Sequence, residues 1–89
     1  MSSPYEIVLD RGAIMDLKKL AKSQPKIIKQ IELKIDALAH DPYLGKALHG
    51  DKKGIYSLRH GDYRILYECY HEKRTVLVIT IGDRKEVYA

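Results

Sequence analysis

Polar and apolar positions alternate in Tyr5-Glu6-Ile7-Val8-Leu9, and two of the five residues are β-branched, which predicts a first strand over 5–9. Asp10 can cap a helix starting near Arg11. Ala13, Leu17, Leu20 and Ala21 then fall on one helical face, with Lys18, Lys19 and Lys22 elsewhere. Ser23-Gln24-Pro25 breaks this helix and starts another, because proline fits a first helical turn, where its missing N–H leaves no bond unmade. Over 25–40, Ile28, Ile31, Ile35 and Leu38 make an apolar stripe widened by Ile27, and Lys26, Lys29 and Lys34 stand largely off it. The short connection predicts an antiparallel helical hairpin, which Asp41-Pro42 ends.

Residues 43–54 hold three glycines and several lysines and read as a loop. A short strand follows over 55–59, Gly61-Asp62 signals a turn, and 63–70 reads as a second strand. Tyr63, Ile65, Tyr67 and Cys69 should point to one face of it, and Arg64, Leu66, Glu68 and Tyr70 to the other. After the polar turn 71–74, residues 75–81 form the most apolar strand, expected to be central. The predicted fold is a single α+β domain: an N-terminal strand, a helical hairpin, then a three-strand antiparallel meander. The first strand should join the same small sheet, with the helices covering one face and the other left open for binding.

At 89 residues the chain has room for one domain. Phe and Trp are absent, so seven tyrosines supply the aromatic surface, a residue suited to half-buried positions and binding faces. The net charge of +4 favours acidic partners such as nucleic acid, though many plain domains are equally basic. Cys69 is the single cysteine, which excludes an internal disulfide and agrees with a reducing compartment. His40, His49 and His71 show no metal-ligand spacing, so neither metal nor cofactor is expected. No apolar run is long enough to span a membrane, and the start lacks a secretory signal, so a cytoplasmic protein is expected.

The chemistry concentrates in the last third. His60-Gly61-Asp62-Tyr63-Arg64-Ile65-Leu66-Tyr67 and Ile81-Gly82-Asp83-Arg84-Lys85-Glu86-Val87-Tyr88 each set an arginine beside tyrosines at a strand or strand end. Guanidinium is a planar, permanently charged fork that matches phosphate oxygens. Tyrosine adds a ring that can stack on a base and a hydroxyl that can carry a proton. Held on a sheet in a small basic domain, these groups suggest RNA as target or substrate.

These two segments, with Gly45-Lys46-Ala47-Leu48 and Ser57-Leu58-Arg59 and their order after a helical hairpin, resemble the RelE/ParE superfamily of toxins from toxin–antitoxin pairs. The resemblance covers nearly the whole chain. It implies a small curved sheet with helices on one side. For the RelE branch it implies a ribosome-dependent endoribonuclease that cuts mRNA in the A site, and a RelB-like antitoxin that wraps and silences it in a hetero-oligomer. For the ParE branch the implied target is DNA gyrase. Arg64, Arg84 and Tyr88 match positions that RelE-type toxins commonly keep, which favours that branch. Some RelE toxins carry two lysines in the strand before Gly-Asp-Tyr-Arg; here Ile55, Tyr56, Ser57 and Leu58 stand there, with Lys52 and Lys53 just upstream. The chain also stops at Ala89, without a family helix after the tyrosine.

Metal-free RNA cleavage needs a group to take the 2′ proton, a group to protonate the leaving 5′-oxygen, and positive charge on the phosphorane between them. Arg64 and Arg84 are assigned to the scissile phosphate; the plainer alternative is a surface arginine paired with Glu68 or Glu86. Tyr88 is the candidate for proton transfer or base stacking, with Arg84 and Lys85 as the cations that could lower its pKa; otherwise it packs on the sheet. Arg59 and His60 are secondary candidates for RNA contact, and Lys52, Lys53 and Lys85 for non-specific phosphate contacts. Cys69 reads as a buried small residue. A gyrase-binding toxin that cuts nothing, and a degenerate relative that only binds its antitoxin, remain the competing readings.

Overall fold

A computed structural model describes residues 3–87. The elements run β1 (Glu6–Leu9), α1 (Arg11–Ser23), α2 (Pro25–Ala37), β2 (Lys46–Ala47), β3 (Ile55–His60), β4 (Tyr63–Tyr70), β5 (Thr75–Asp83) and α3 (Arg84–Val87). The five strands form one sheet in the order β1-β5-β4-β3-β2. β1 lies parallel to β5, and every other pairing is antiparallel. The expected α+β architecture is therefore present, with one more strand and one more helix than the sequence predicts. The apolar β5 is internal, flanked by β1 and β4, but the middle of the sheet is β4 rather than β5.

The helices form because their apolar residues recur on one face that only the sheet can cover. Ala13 and Leu20 of α1 and Ile28, Ile31 and Ile35 of α2, with Leu38 just beyond it, meet Ile65, Tyr67, Val76, Val78 and Ile81 in one core. Ala21 is exposed, against expectation. It lies about 80° around the helix from Ala13, at the margin of the stripe, where a methyl group is too short to reach the core. Gln24 alone joins α1 to α2. The second helix stops at Ala37, short of the predicted His40, and its last turn tightens: Leu38, Ala39 and His40 donate N–H bonds to the carbonyls three residues back. Pro42 disfavours helical geometry at Asp41, so the chain cannot continue the wider helix.

The predicted loop 43–54 contains β2 and a 3-10 turn over Gly50–Lys52. The Tyr67 hydroxyl accepts the Gly45 N–H at 2.8 Å and donates to the Pro42 carbonyl at 2.9 Å, drawing this segment against the edge of β3. A Cβ at Gly45 would lie 2.6 Å from that hydroxyl, so only glycine permits the approach.

β5 carries a bulge that decides what faces what. Tyr67 pairs with Val78 and Leu66 with Thr80, so Ile79 is the extra residue. The bulge lets Val76, Val78 and Ile81 all turn to the core despite their uneven spacing. Asp16 of α1 serves it: one carboxylate oxygen accepts the Ile81 N–H at 2.9 Å and the Thr80 hydroxyl at 2.8 Å. Among the described residues no helix is long and apolar enough to cross a membrane.

Candidate functional site

β3 and β4 meet through the two-residue turn Gly61-Asp62, with Gly61 at φ 59°, where the favoured hairpin turns need a positive φ. That turn sets the register: His60 pairs with Tyr63, and Arg59 with Arg64. On the other side of β4, Arg64 pairs with Gly82. Arg59, Arg64 and Gly82 thus form one row across three strands, with neighbouring Cα atoms about 5 Å apart. The row lies on the face away from α1 and α2, because the alternate residues Tyr63, Ile65 and Leu58 belong to the core. The bulge is essential to it: without the extra residue, Ile81 would stand opposite Arg64 instead of Gly82.

Like charges directly opposite one another destabilise a sheet, and an anion between them relieves the repulsion. The Arg64 guanidinium is held by one of its terminal nitrogens: Nη1 donates to the carbonyls of Gly61 at 2.9 Å and Tyr63 at 3.0 Å. Among the described residues it has no ion-pair contact with Glu68 or Glu86. Glu68 instead accepts the Tyr70 hydroxyl at 2.6 Å, which raises the Tyr70 pKa and fits that phenol poorly for use as a base.

Arg84 follows Gly82 by two residues and opens α3. Its N–H donates to the Asp62 carbonyl at 3.0 Å, which fastens α3 to the β3–β4 turn two residues before Arg64. Asp83 caps the helix, its Oδ1 accepting the N–H groups of Lys85 at 3.0 Å and Glu86 at 3.1 Å. Glu86 and Val87 fill the space that a side chain at position 82 would need, since a Cβ there would lie 3.0 Å from Glu86 Oε2. Arg84 and Lys85 are both exposed. Tyr88 lies outside the described residues.

The other candidates lie elsewhere. His60 points to the helix side, where its Nε2 meets Gln30 Oε1 of α2 at 2.7 Å. Lys52 and Lys53 precede β3 at its far end; Ile55 pairs with Glu68, about 13 Å along β4 from Arg64. Arg59, a secondary candidate from the sequence, is the direct neighbour of Arg64. The two-residue turn carried that information, because it sets the pairing of every residue in the hairpin. Nothing in the sequence marked the bulge that aligns Gly82.

Four of the tyrosines serve the opposite end of the sheet. Tyr67 is fully buried and stacks on Tyr56 with centroids 5.5 Å apart, and Tyr56 meets Tyr43 edge-on at 6.3 Å. Tyr43 stacks on His71 at 5.3 Å, and the His71 ring nitrogens bond to the hydroxyls of Tyr5 at 2.8 Å and Tyr43 at 3.2 Å. Arg74 lies over the Tyr5 ring. Burial pushes the Tyr67 pKa up to about 12, against the lowering effect of the Gly45 N–H. Burial also raises the Cys69 thiol, whose Sγ lies 3.5 Å from the Pro42 carbonyl, as suits a packed residue rather than a nucleophile. Among the described residues no three His, Cys, Asp or Glu side chains gather as a metal site would require.

A sequence model of the family described as ParE toxin of type II toxin–antitoxin system, parDE, matches residues 7–88. Toxin RelG of Mycobacterium tuberculosis is 32% identical over 87 residues, covering 96% of this chain and 97% of its own. Toxin RelE of the same organism is 31% identical over 86 residues, covering 96% of this chain and 87% of its own. Among solved structures, the toxin–antitoxin complex RelBE2 from Mycobacterium tuberculosis contains a chain 31% identical, with a TM-score of 0.80 over 94% of this chain and 95% of that one. The isolated E. coli RelE toxin is 26% identical, with a TM-score of 0.72 over 94% of this chain and 90% of that one. With relatives above 30% identity along almost their whole length, a matching family model and the same sheet-and-hairpin fold, the chain belongs to the RelE/ParE superfamily of toxins from type II toxin–antitoxin systems.

Proposed function

We propose that this toxin is a ribosome-dependent endoribonuclease that cuts mRNA in the A site and stops translation in the cytoplasm. The observation that carries the proposal is the arginine row: Arg59 beside Arg64, with Gly82, which has no side chain, beyond it, and Arg84 fastened to the same turn. The relatives named RelE and RelG support the branch. In this reading the RNA's own 2′-hydroxyl attacks the adjacent phosphorus and the 5′-oxygen leaves. Arg64 and Arg84 hold the scissile phosphate and stabilise the charge that grows on the phosphorane. Arg59 contacts the same phosphate or the next one along. Tyr88, next after Val87 in the sequence, transfers a proton or stacks on a base. Lys85 adds a backbone contact, and Lys52 and Lys53 reach more distant phosphates. His60, bonded to Gln30, contributes to RNA binding only by leaving that bond. The partner that silences the toxin is a cognate RelB-like antitoxin, as in the RelBE complexes among the structural neighbours.

The test is primer extension on a defined mRNA in a purified translation system with the A site empty. The expected result is new 3′ ends at the A site that disappear without ribosomes and with Arg64→Ala and fall steeply, to a still measurable rate, with Arg84→Ala, both variants remaining folded. Full cleavage by both variants would overturn the site. No cleavage by the folded wild-type chain would favour a second reading, which the ParE description of the matching family supports: a toxin that binds DNA gyrase and cuts nothing.

A further inference from the structure

We propose that Asp83 is the positioning residue for Arg84, acting as the cap that holds α3 against the β3–β4 turn; the inference rests on the phosphate-binding role proposed for Arg84. The described residues of α3 make about one helical turn, and forming a first turn is the unfavourable step of helix formation. α3 therefore depends on what satisfies its first N–H groups. Three successive donors are engaged: Arg84 N–H by the Asp62 carbonyl, and Lys85 and Glu86 N–H by Asp83 Oδ1. Asp83 is itself fixed, half-buried at the end of β5 and paired with Tyr63 in the ladder. The backbone that carries Arg84 is thus clamped from both sides, by a turn carbonyl and by a carboxylate.

The identity of the residue sharpens the inference. A carboxylate beside arginines meant for a phosphate works against them, because it repels the same anion. The geometry supplies a reason for its presence: the carboxylate is turned onto two backbone donors. If capping is its task, any short side chain with an acceptor oxygen will do, and a neutral one will not repel the phosphate. The expected order of activity is then Asn and Ser at or above Asp, with Ala and Glu far below. Glutamate keeps the charge but is one methylene too long to cap in the same way.

The experiment measures kcat and KM for cleavage on programmed ribosomes with Asp83→Asn, Asp83→Ser, Asp83→Ala and Asp83→Glu. NMR order parameters of the Arg84 side-chain Nε–H are recorded on the same proteins. Asp83→Ala and Asp83→Glu should lose about tenfold or more in kcat, as expected when a contact to the reacting group is misplaced. Asp83→Asn should stay within threefold of wild type or exceed it. The double variant Asp83→Ala with Arg84→Ala should be no slower than Arg84→Ala alone, a non-additivity that a general loss of stability would not produce. Asp83→Asn as impaired as Asp83→Ala, a loss below threefold in both Ala and Glu variants, or additive effects in the double variant would overturn the proposal. A wild-type chain that leaves mRNA intact would defeat the nuclease reading instead. The hold on Arg84 is then judged by its Nε–H order: loosening in Ala and Glu but not in Asn sustains it, and equal mobility in all refutes it.

Discussion

Tyr67 shows how a residue that resembles a functional group is taken up by structure. Its hydroxyl bridges Gly45 and Pro42 in a fully buried position, and its ring stacks on Tyr56. Removing that oxygen strands one buried donor and one acceptor, so Tyr67→Phe should cost about 1–3 kcal/mol in urea unfolding. The pH dependence follows from the raised pKa. With a folded-state value of about 12, against about 10 for free tyrosine, the unfolded chain gives up its proton first as pH rises. The stabilisation is present in full below about pH 10 and lost as pH climbs toward 12. Urea midpoints measured across that range should fall in the wild-type protein and fall less steeply in Tyr67→Phe.

The bulge in β5 is the element on which the candidate site depends. It turns Val76, Val78 and Ile81 to the core and sets Gly82 rather than Ile81 beside Arg64. Asp16 holds it open from α1 by accepting the Ile81 N–H and the Thr80 hydroxyl. Gly12, one turn earlier, brings α1 close, since a Cβ there would lie 3.3 Å from the Ile79 carbonyl. Asp16→Ala leaves a partly buried N–H and a hydroxyl without their acceptor and should destabilise by about 1–3 kcal/mol, measured by chemical unfolding. Asp16→Asn keeps an acceptor oxygen and should cost less.

Across the whole molecule, the sheet separates two populations of polar residues. Arg59 and Arg64 stand on the face away from α1 and α2, while His60 bonds to α2 on the other. The two neighbours in sequence should therefore give opposite phenotypes. Arg59→Ala should weaken ribosome or RNA binding and reduce the slope of log K against log salt by about one, as one phosphate contact is lost. His60→Ala should leave that slope unchanged and lower the melting temperature instead. Equal slopes for both variants would show that the face carrying Arg59 and Arg64 does not meet the phosphate backbone.

Periodicity determined four of the five strands, the two long helices and most of their buried faces, and the Gly61-Asp62 signal placed the turn of the β3–β4 hairpin. These are local matters, set by a repeat of two or of 3.6 residues and by a two-residue turn. The arginines and the family were legible for the same reason, since Arg64 and Arg84 sit in short contiguous segments. Tertiary structure alone decided that β4 is the middle strand and that 43–54 contributes a strand. It alone decided that His60 serves α2 and that Gly82 rather than Ile81 lies beside Arg64. Each of these rests on contacts between segments far apart in the chain: Asp16 with Ile81, Gly45 with Tyr67, Gln30 with His60. Such contacts leave no period in the sequence, because they are made only when the helices close over the sheet.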